Sequence, residues 1–265
     1  NMAEFLKGYQ REIDIIVKND IQPASDLQKK WQSLEKNGDI QTRSYALGTN
    51  LIQSGWGQGA PFNNYCPVDY SGSFPQRTTV GCVATAMAQI IRYWGADRNI
   101  APTHGFNGSV FETAYYDYPN MPAAINATFP QEQQHAVALL SYHCGLAANM
   151  NYSITGSEAT MMSAAKGLRD HFGYSDVLCV GYGTVTSISL TELKNILKSE
   201  LDKEQPVLYA DGRGSSWHAF ICDGYNSSDE FHINWGWNSH CNGWCRLTAL
   251  NPDDKNYSYD LGATI

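Results

Sequence analysis

The sequence is short of charge, and of positive charge most of all. Only 17% of its 265 residues are Asp, Glu, Lys or Arg, and 18 Lys+Arg stand against 26 Asp+Glu, a formal charge of −8. Without a basic cluster there is little electrostatic pull on phosphate, so nucleic acid is not an expected partner. No apolar run approaches the roughly 18 residues of a membrane span. No charged-then-apolar leader opens the sequence, although a leader already removed would leave the same picture. Internal repeats and low-complexity tracts are absent too. The seven cysteines, at 66, 82, 144, 179, 222, 241 and 245, include no CxxC pair, which argues against a thioredoxin-type site and the common zinc modules. Their odd number leaves at least one outside any internal disulfide.

What the sequence does have is aromatic surface: sixteen Tyr, seven Trp and nine Phe. A chain of this length and composition buries a sizeable core and is not disordered. Helical spacing is predicted over residues 4–19, 25–38, 82–94, 131–146, 158–172 and 191–203, with Ser157 read as the N-cap of the fifth. After residue 205 the period drops to two. Pro206–Asp211, His218–Tyr225, Glu230–Gly236 and Gly243–Thr248 are predicted as an antiparallel meander. Helices first and sheet second give an α+β class with two halves, and a cleft between such halves is the expected place for a site.

Cys82 stands apart from the other cysteines. It follows Gly81 and opens a strongly amphipathic helix, where unpaired N–H groups and the helix dipole favour a thiolate. Position alone leaves two readings, a nucleophile or a capping cysteine without chemistry. Among seven histidines, His218 begins the strand HAFICDGY just after a Gly/Ser-rich loop, where it can reach across a cleft. Asn234 ends the next predicted strand, close enough in a hairpin to accept the His218 N–H and fix its tautomer, with Trp235 as a shield against water.

These motifs carry a resemblance. GCVATAMAQIIRYW is similar to the nucleophile helix of the streptopain family of papain-like cysteine peptidases. HAFICDGY, FHINWGW and NGWCRLTALNP resemble its histidine strand and following hairpin, and WGQGAPFNNYCP its oxyanion-hole segment. The likeness runs over about residues 45–265. It implies a papain-like α+β fold and a cysteine-type endopeptidase that cleaves proteins or peptides through an acyl-enzyme. Cys82 matches the nucleophile, His218 the general base and acid, Gln58 the oxyanion donor beside the Cys82 N–H, Asn234 the histidine-orienting residue and Trp235 the adjacent ring. Ser157 matches a substrate-contacting position, and Gly81 and Trp217 border the same cleft. No cofactor and no metal are implied.

The resemblance further implies a bacterial protein exported to the medium or cell envelope, made as a zymogen whose own pro-segment acts as inhibitor. Residues 1–43 are accordingly expected to be a helical pro-segment remnant and 44–265 the two-lobed catalytic domain. An ordinary helical extension is the other reading of 1–43. An acyl transferase on the same scaffold, or a catalytically latent binding homologue, are the alternatives for the whole. Three departures from the family pattern stand out: Trp217 before the histidine, Asn238-Ser239 after NWGW, and His240-Cys241 with Cys245. That Cys-x₃-Cys hairpin is open to a disulfide, a metal site or two unpaired thiols.

Overall fold

The computed structural model describes residues 46–175, 177, 179–181, 189–213, 216–258 and 262–264. The first two predicted helices and the boundary expected at residue 43 lie outside these residues.

The Gly81–Cys82 junction sets the architecture. Gly81 holds φ +89°, a conformation side chains disfavour, and a Cβ there would come within 2.9 Å of the Met150 thioether and the Ser157 carbonyl. Glycine lets the chain turn at this point into helix α1, Cys82–Arg92, every residue of which after Cys82 is buried. A single π-helical turn, Tyr93–Asp97, extends it and is pinned by Arg92, which bonds the Met121 carbonyl and pairs with Asp97. The short helix α2 (Ser109–Glu112) sets Phe111 against His143, His171 and Phe172, and around α1 pack α3 (Gln131–Ala147) and α4 (Met161–Phe172), joined by Leu140, Ala164, Leu168 and Phe172 in one apolar cluster.

Helix α4 starts later than its apolar spacing suggests. Thr160, not Ser157, is the N-cap, in a reciprocal capping box with Ser163. The reason is that Ser157 is already engaged: its Oγ donates to the Thr79 carbonyl at 2.7 Å and accepts from the Ser153 N–H at 3.0 Å. Next to it, Glu158 bridges to Asn151.

A small hairpin, β1 (Val68–Asp69) with β2 (Gln76–Arg77), precedes α1. The main sheet has six strands. Strand β3 (Cys179–Gly181) and helix α5 (Leu190–Asp202), capped by Ser189 and Glu192, lead into the meander β4 (Val207–Arg213), β5 (Ser216–Tyr225), β6 (Phe231–Asn234) and β7 (Gly243–Cys245). The meander was predicted. The addition of β8 (Gly262–Thr264) beside β4, and of β3 beyond it, was not, giving the order β3-β8-β4-β5-β6-β7 with antiparallel pairing throughout.

Strand alternation divides the core between two faces. Leu208, Ala210, Ala219 and Ile221 join the α1 cluster, whereas Val207, Tyr209, Phe220, Cys222 and Phe231 face the other way onto Leu193, Leu197 and Leu201 of α5. Where chain segments meet the sheet edge-on, buried polar pairs hold them. Asp223, fully buried, accepts the Ile52 N–H at 2.8 Å and meets His232 Nδ1 at 2.6 Å.

Burial also sets a pH dependence. His143, within the α1–α3 core and bonded to the Tyr116 hydroxyl, is pushed by burial from 6.5 down to about 4. As pH falls, the unfolded chain therefore takes up its proton first, so the stability that this neutral ring supplies is complete above about 6.5 and lost as pH falls toward 4. Thermal unfolding followed from pH 7 to 4 is expected to show Tm falling across that window, with a shallower fall in His143→Asn. An identical slope in the variant would place the loss elsewhere.

Candidate active site

Cys82 is the first residue of α1, and its sulfur faces the Ala219 N–H of β5. Burial pushes its thiol up, and this is the larger effect; the backbone N–H groups of Ala219, Val83 and Cys82 itself pull the other way, while the Glu158 carboxylate adds to the rise. The helix start thus delivers the N–H groups expected of it, but burial outweighs them. Elsewhere burial acts with less opposition. It pushes Cys66 up to about 12, Cys245 up to about 11, and Cys144 and Cys222 well above the ordinary range.

The Ala219 N–H that faces Cys82 belongs to the residue after His218. The His218 ring is 6% exposed and enclosed by four others: Trp237 at 4.7 Å between centroids, Tyr257 at 5.4 Å, Phe220 at 6.1 Å and Trp235 at 6.2 Å. This burial lowers the imidazole to about 4; its bond to the Trp235 carbonyl opposes the fall and the Lys255 ammonium adds to it. Lys255 itself lies 4.5 Å over the Trp237 ring.

The hydrogen bond on His218 is not the one expected. Its Nε2 lies 2.8 Å from the Trp235 backbone carbonyl. A carbonyl only accepts, so Nε2 carries the proton and Nδ1 keeps the lone pair. Asn234, predicted as the acceptor, points away into a different network. Its Nδ2 donates to the Ser54 carbonyl at 2.7 Å and to Gln89 Oε1 at 3.2 Å, and its Oδ1 accepts the Gly236 N–H at 3.1 Å. The reason is register: Asn234 is the last residue of β6 and pairs with Ile221, three residues past His218, so its side chain serves the strand end and the turn after it.

Gln89 completes that network and was missed from sequence. On α1 two turns after Cys82, it accepts the Trp56 N–H at 2.9 Å and the Ser54 hydroxyl at 3.1 Å. The signal was a glutamine at i+7 from Cys82 in a helix whose other residues up to Ile91, Thr85 apart, are apolar. Through it the 54–58 segment is fastened beside α1, and the Gln58 carbonyl accepts the Val80 N–H at 3.0 Å, two residues before Cys82. Gln58 is thus brought to the helix start, half-buried. The loop after β6 closes on the same segment through the Asn238 N–H on the Trp56 carbonyl at 3.2 Å, and is itself held by the Trp235 N–H on Asn242 Oδ1 at 2.9 Å.

The remaining predicted residues divide. Gly81 lies at the junction just described. Trp235 is 2% exposed and stacks beside His218, its indole N–H held by the Cys241 carbonyl at 3.0 Å. Trp217 is 38% exposed, one residue before His218 and across the strand pair from Gly212. Ser157 is buried and its hydroxyl is spent on the Thr79 loop, so its side chain is not presented to a cleft. Cys241 and Cys245 are both free thiols in the structure.

The profile of the peptidase C10 family matches residues 56–245. The thiol protease/hemagglutinin PrtT of Porphyromonas gingivalis is 31% identical over 288 aligned residues, taking in 100% of this chain and 32% of that protein. Streptopain of Streptococcus pyogenes is 26% identical over 272 residues, with 95% of this chain and 65% of the relative covered. The chain therefore spans about a third of the first relative and just under two thirds of the second. Among solved structures, active wild-type interpain A cysteine protease of Prevotella intermedia matches with a TM-score of 0.71 at 30% identity, over 82% of this chain and 93% of that one. A prointerpain A fragment from the same organism matches with a TM-score of 0.68 at 27% identity, over 92% and 84%.

Proposed function

Because the chain belongs to the peptidase C10 family and has the papain-like α+β fold of its structural relatives, we propose that it is a cysteine-type endopeptidase acting on proteins or peptides. The observation that carries the reading is the junction of α1 with β5. The Cys82 sulfur faces the Ala219 N–H, and the adjacent His218 is locked with its proton on Nε2 and its lone pair on Nδ1. In this reading His218 Nδ1 takes the Cys82 proton as sulfur attacks the scissile carbonyl. The Cys82 N–H and the Gln58 carboxamide stabilise the oxyanion. His218 then protonates the leaving amine and activates the water that clears the acyl-enzyme.

The opposed pressures on the two groups fit a pair that titrates as a unit. Burial favours thiol and imidazole at rest, and the N–H groups at the helix start favour thiolate once the proton has moved. Trp235 acts through its carbonyl, holding the tautomer, and its ring excludes water. Asn234 acts at one remove, holding the strand end that presents that carbonyl. Trp217 forms a bulky cleft edge and Gly81 a smooth one. Assayed on a peptide substrate, the enzyme is expected to release free acid and to give the same product when an amine is added. Amide product rising with amine concentration at the expense of acid would make it a transferase instead.

Residues 1–43 are read as a pro-segment remnant that acts as the domain's own inhibitor. The wider coverage of this chain by the prointerpain fragment than by active interpain A supports the reading. A chain beginning at Ser44 is expected to remain soluble and to be at least as active as the longer one. Loss of a cooperative thermal transition would make 1–43 part of the domain's core. Export to the medium or cell envelope of a bacterium belongs to the same reading. No helix among the described residues is long and apolar enough to cross a membrane.

A further inference from the structure

Three side chains of types that can bind a metal, none of them used in the proposed catalysis, come together in the structure. His240 and Cys241 lie in the loop between β6 and β7, and Asp253 follows twelve residues later in the segment that leads to Lys255 and Tyr257. His240 Nε2 is 3.0 Å from Asp253 Oδ2, and the Cys241 thiol donates to Asp253 Oδ1 at 3.2 Å. The imidazole nitrogen, the sulfur and the carboxylate all fall within 4.8 Å of one another. Donors bound at about 2.0–2.3 Å to a tetrahedral zinc ion lie roughly 3.3–3.6 Å apart, so little movement separates this hydrogen-bonded cluster from a coordinated one.

We propose that His240, Cys241 and Asp253 form a site for one thiophilic divalent cation of the zinc class. The site is separate from Cys82 and independent of the peptidase reading. On binding, the Cys241 thiol gives its proton to solvent, and His240 turns an Nε2 lone pair to the ion with its proton on Nδ1. Thiolate and carboxylate then balance the two positive charges, and water completes the four-coordinate shell. A thiolate and an imidazole with a single carboxylate suit zinc and disfavour calcium or magnesium, which take oxygen donors.

The scaffold presents the donors from fixed backbone. The Cys241 carbonyl holds the Trp235 indole N–H at 3.0 Å, and Asn242 Oδ1 holds the Trp235 N–H at 2.9 Å. Preorganised ligands lose less freedom on binding. The ion would tie the loop bearing Trp237 to the segment bearing Lys255 and Tyr257, and these three side chains face His218.

The test uses Cys82→Ala protein, so that metal on the catalytic thiol cannot be mistaken for this site. Zinc ion titrated in competition with a chromophoric chelator is expected to bind at one equivalent. Cobalt(II) should give a thiolate-to-metal charge-transfer band in the near ultraviolet. Adding Cys241→Ser is expected to abolish the band, and adding Asp253→Asn or His240→Gln to weaken zinc binding at least tenfold, each with an unchanged unfolding transition in chelator. Adding Cys245→Ser should leave both signals intact. No band in the Cys82→Ala protein, or a band that survives Cys241→Ser, would overturn the proposal.

Discussion

Cys82→Ala is expected to lower kcat/KM on a peptide substrate by at least ~10⁴-fold while the fold stays intact, since losing the nucleophile removes the covalent route altogether. The alanine keeps the start of α1, and the side chain lost there is small and lies at the edge of the core. A loss of ~1 kcal/mol would move Tm by about 2–4 °C in a domain of this size, so the expected shift is a few degrees at most. Circular dichroism and a peptide assay on one preparation check both halves. Activity within tenfold of wild type would remove Cys82 from the mechanism. An inactive protein that has also unfolded would make its role structural.

Asn234→Ala is expected to act by a different route. Its carboxamide serves the Ser54 carbonyl, Gln89 and the Gly236 N–H, all in a buried setting; alanine leaves the Ser54 carbonyl and the Gly236 N–H unpaired, while Gln89 Oε1 keeps the Trp56 N–H and the Ser54 hydroxyl. Stranded buried groups cost ~1–3 kcal/mol each before relaxation, so a net loss of about 2–4 kcal/mol is expected, a fall in Tm of roughly 4–16 °C. Because Trp235 still supplies the acceptor for Nε2, the variant should keep the wild-type pH–rate profile where it remains folded, with kcat reduced by loosening of the site. A shifted profile with an unchanged Tm would show instead that the Asn234 side chain governs His218 directly.

This contrast marks how far the sequence could be read. Helix α1 was legible because apolar spacing, a glycine at its start and a cysteine in first position are all local features. The meander was legible for the same reason, since a two-residue period survives in isolation. The acceptor on His218 was not, because every residue carries a carbonyl and only register decides which one arrives at Nε2. Ser157 and Thr160 are equally plausible caps by residue type, and the choice is made by Thr79, almost eighty residues away. Strands β3 and β8 are three residues each, and they extend one edge of the sheet by pairing segments about eighty residues apart in sequence. The cluster of His240, Cys241 and Asp253 likewise exists only once the fold has brought the loop and the later segment together. At Cys82 the N–H groups of a helix start are a local feature, whereas the burial that opposes them arises only in the folded chain.

The central claim is that Cys82, activated by His218, is the one nucleophilic thiol of this chain. Its most direct measurement is mass spectrometry after brief exposure of the enzyme to an epoxide-type thiol inhibitor, with peptide mapping and residual activity read from the same sample. The account predicts a single adduct, on Cys82, formed in step with loss of activity and absent from His218→Ala under the same exposure. An adduct on Cys241 or Cys245 that tracks the loss of activity, or full inactivation with Cys82 unmodified, would contradict it.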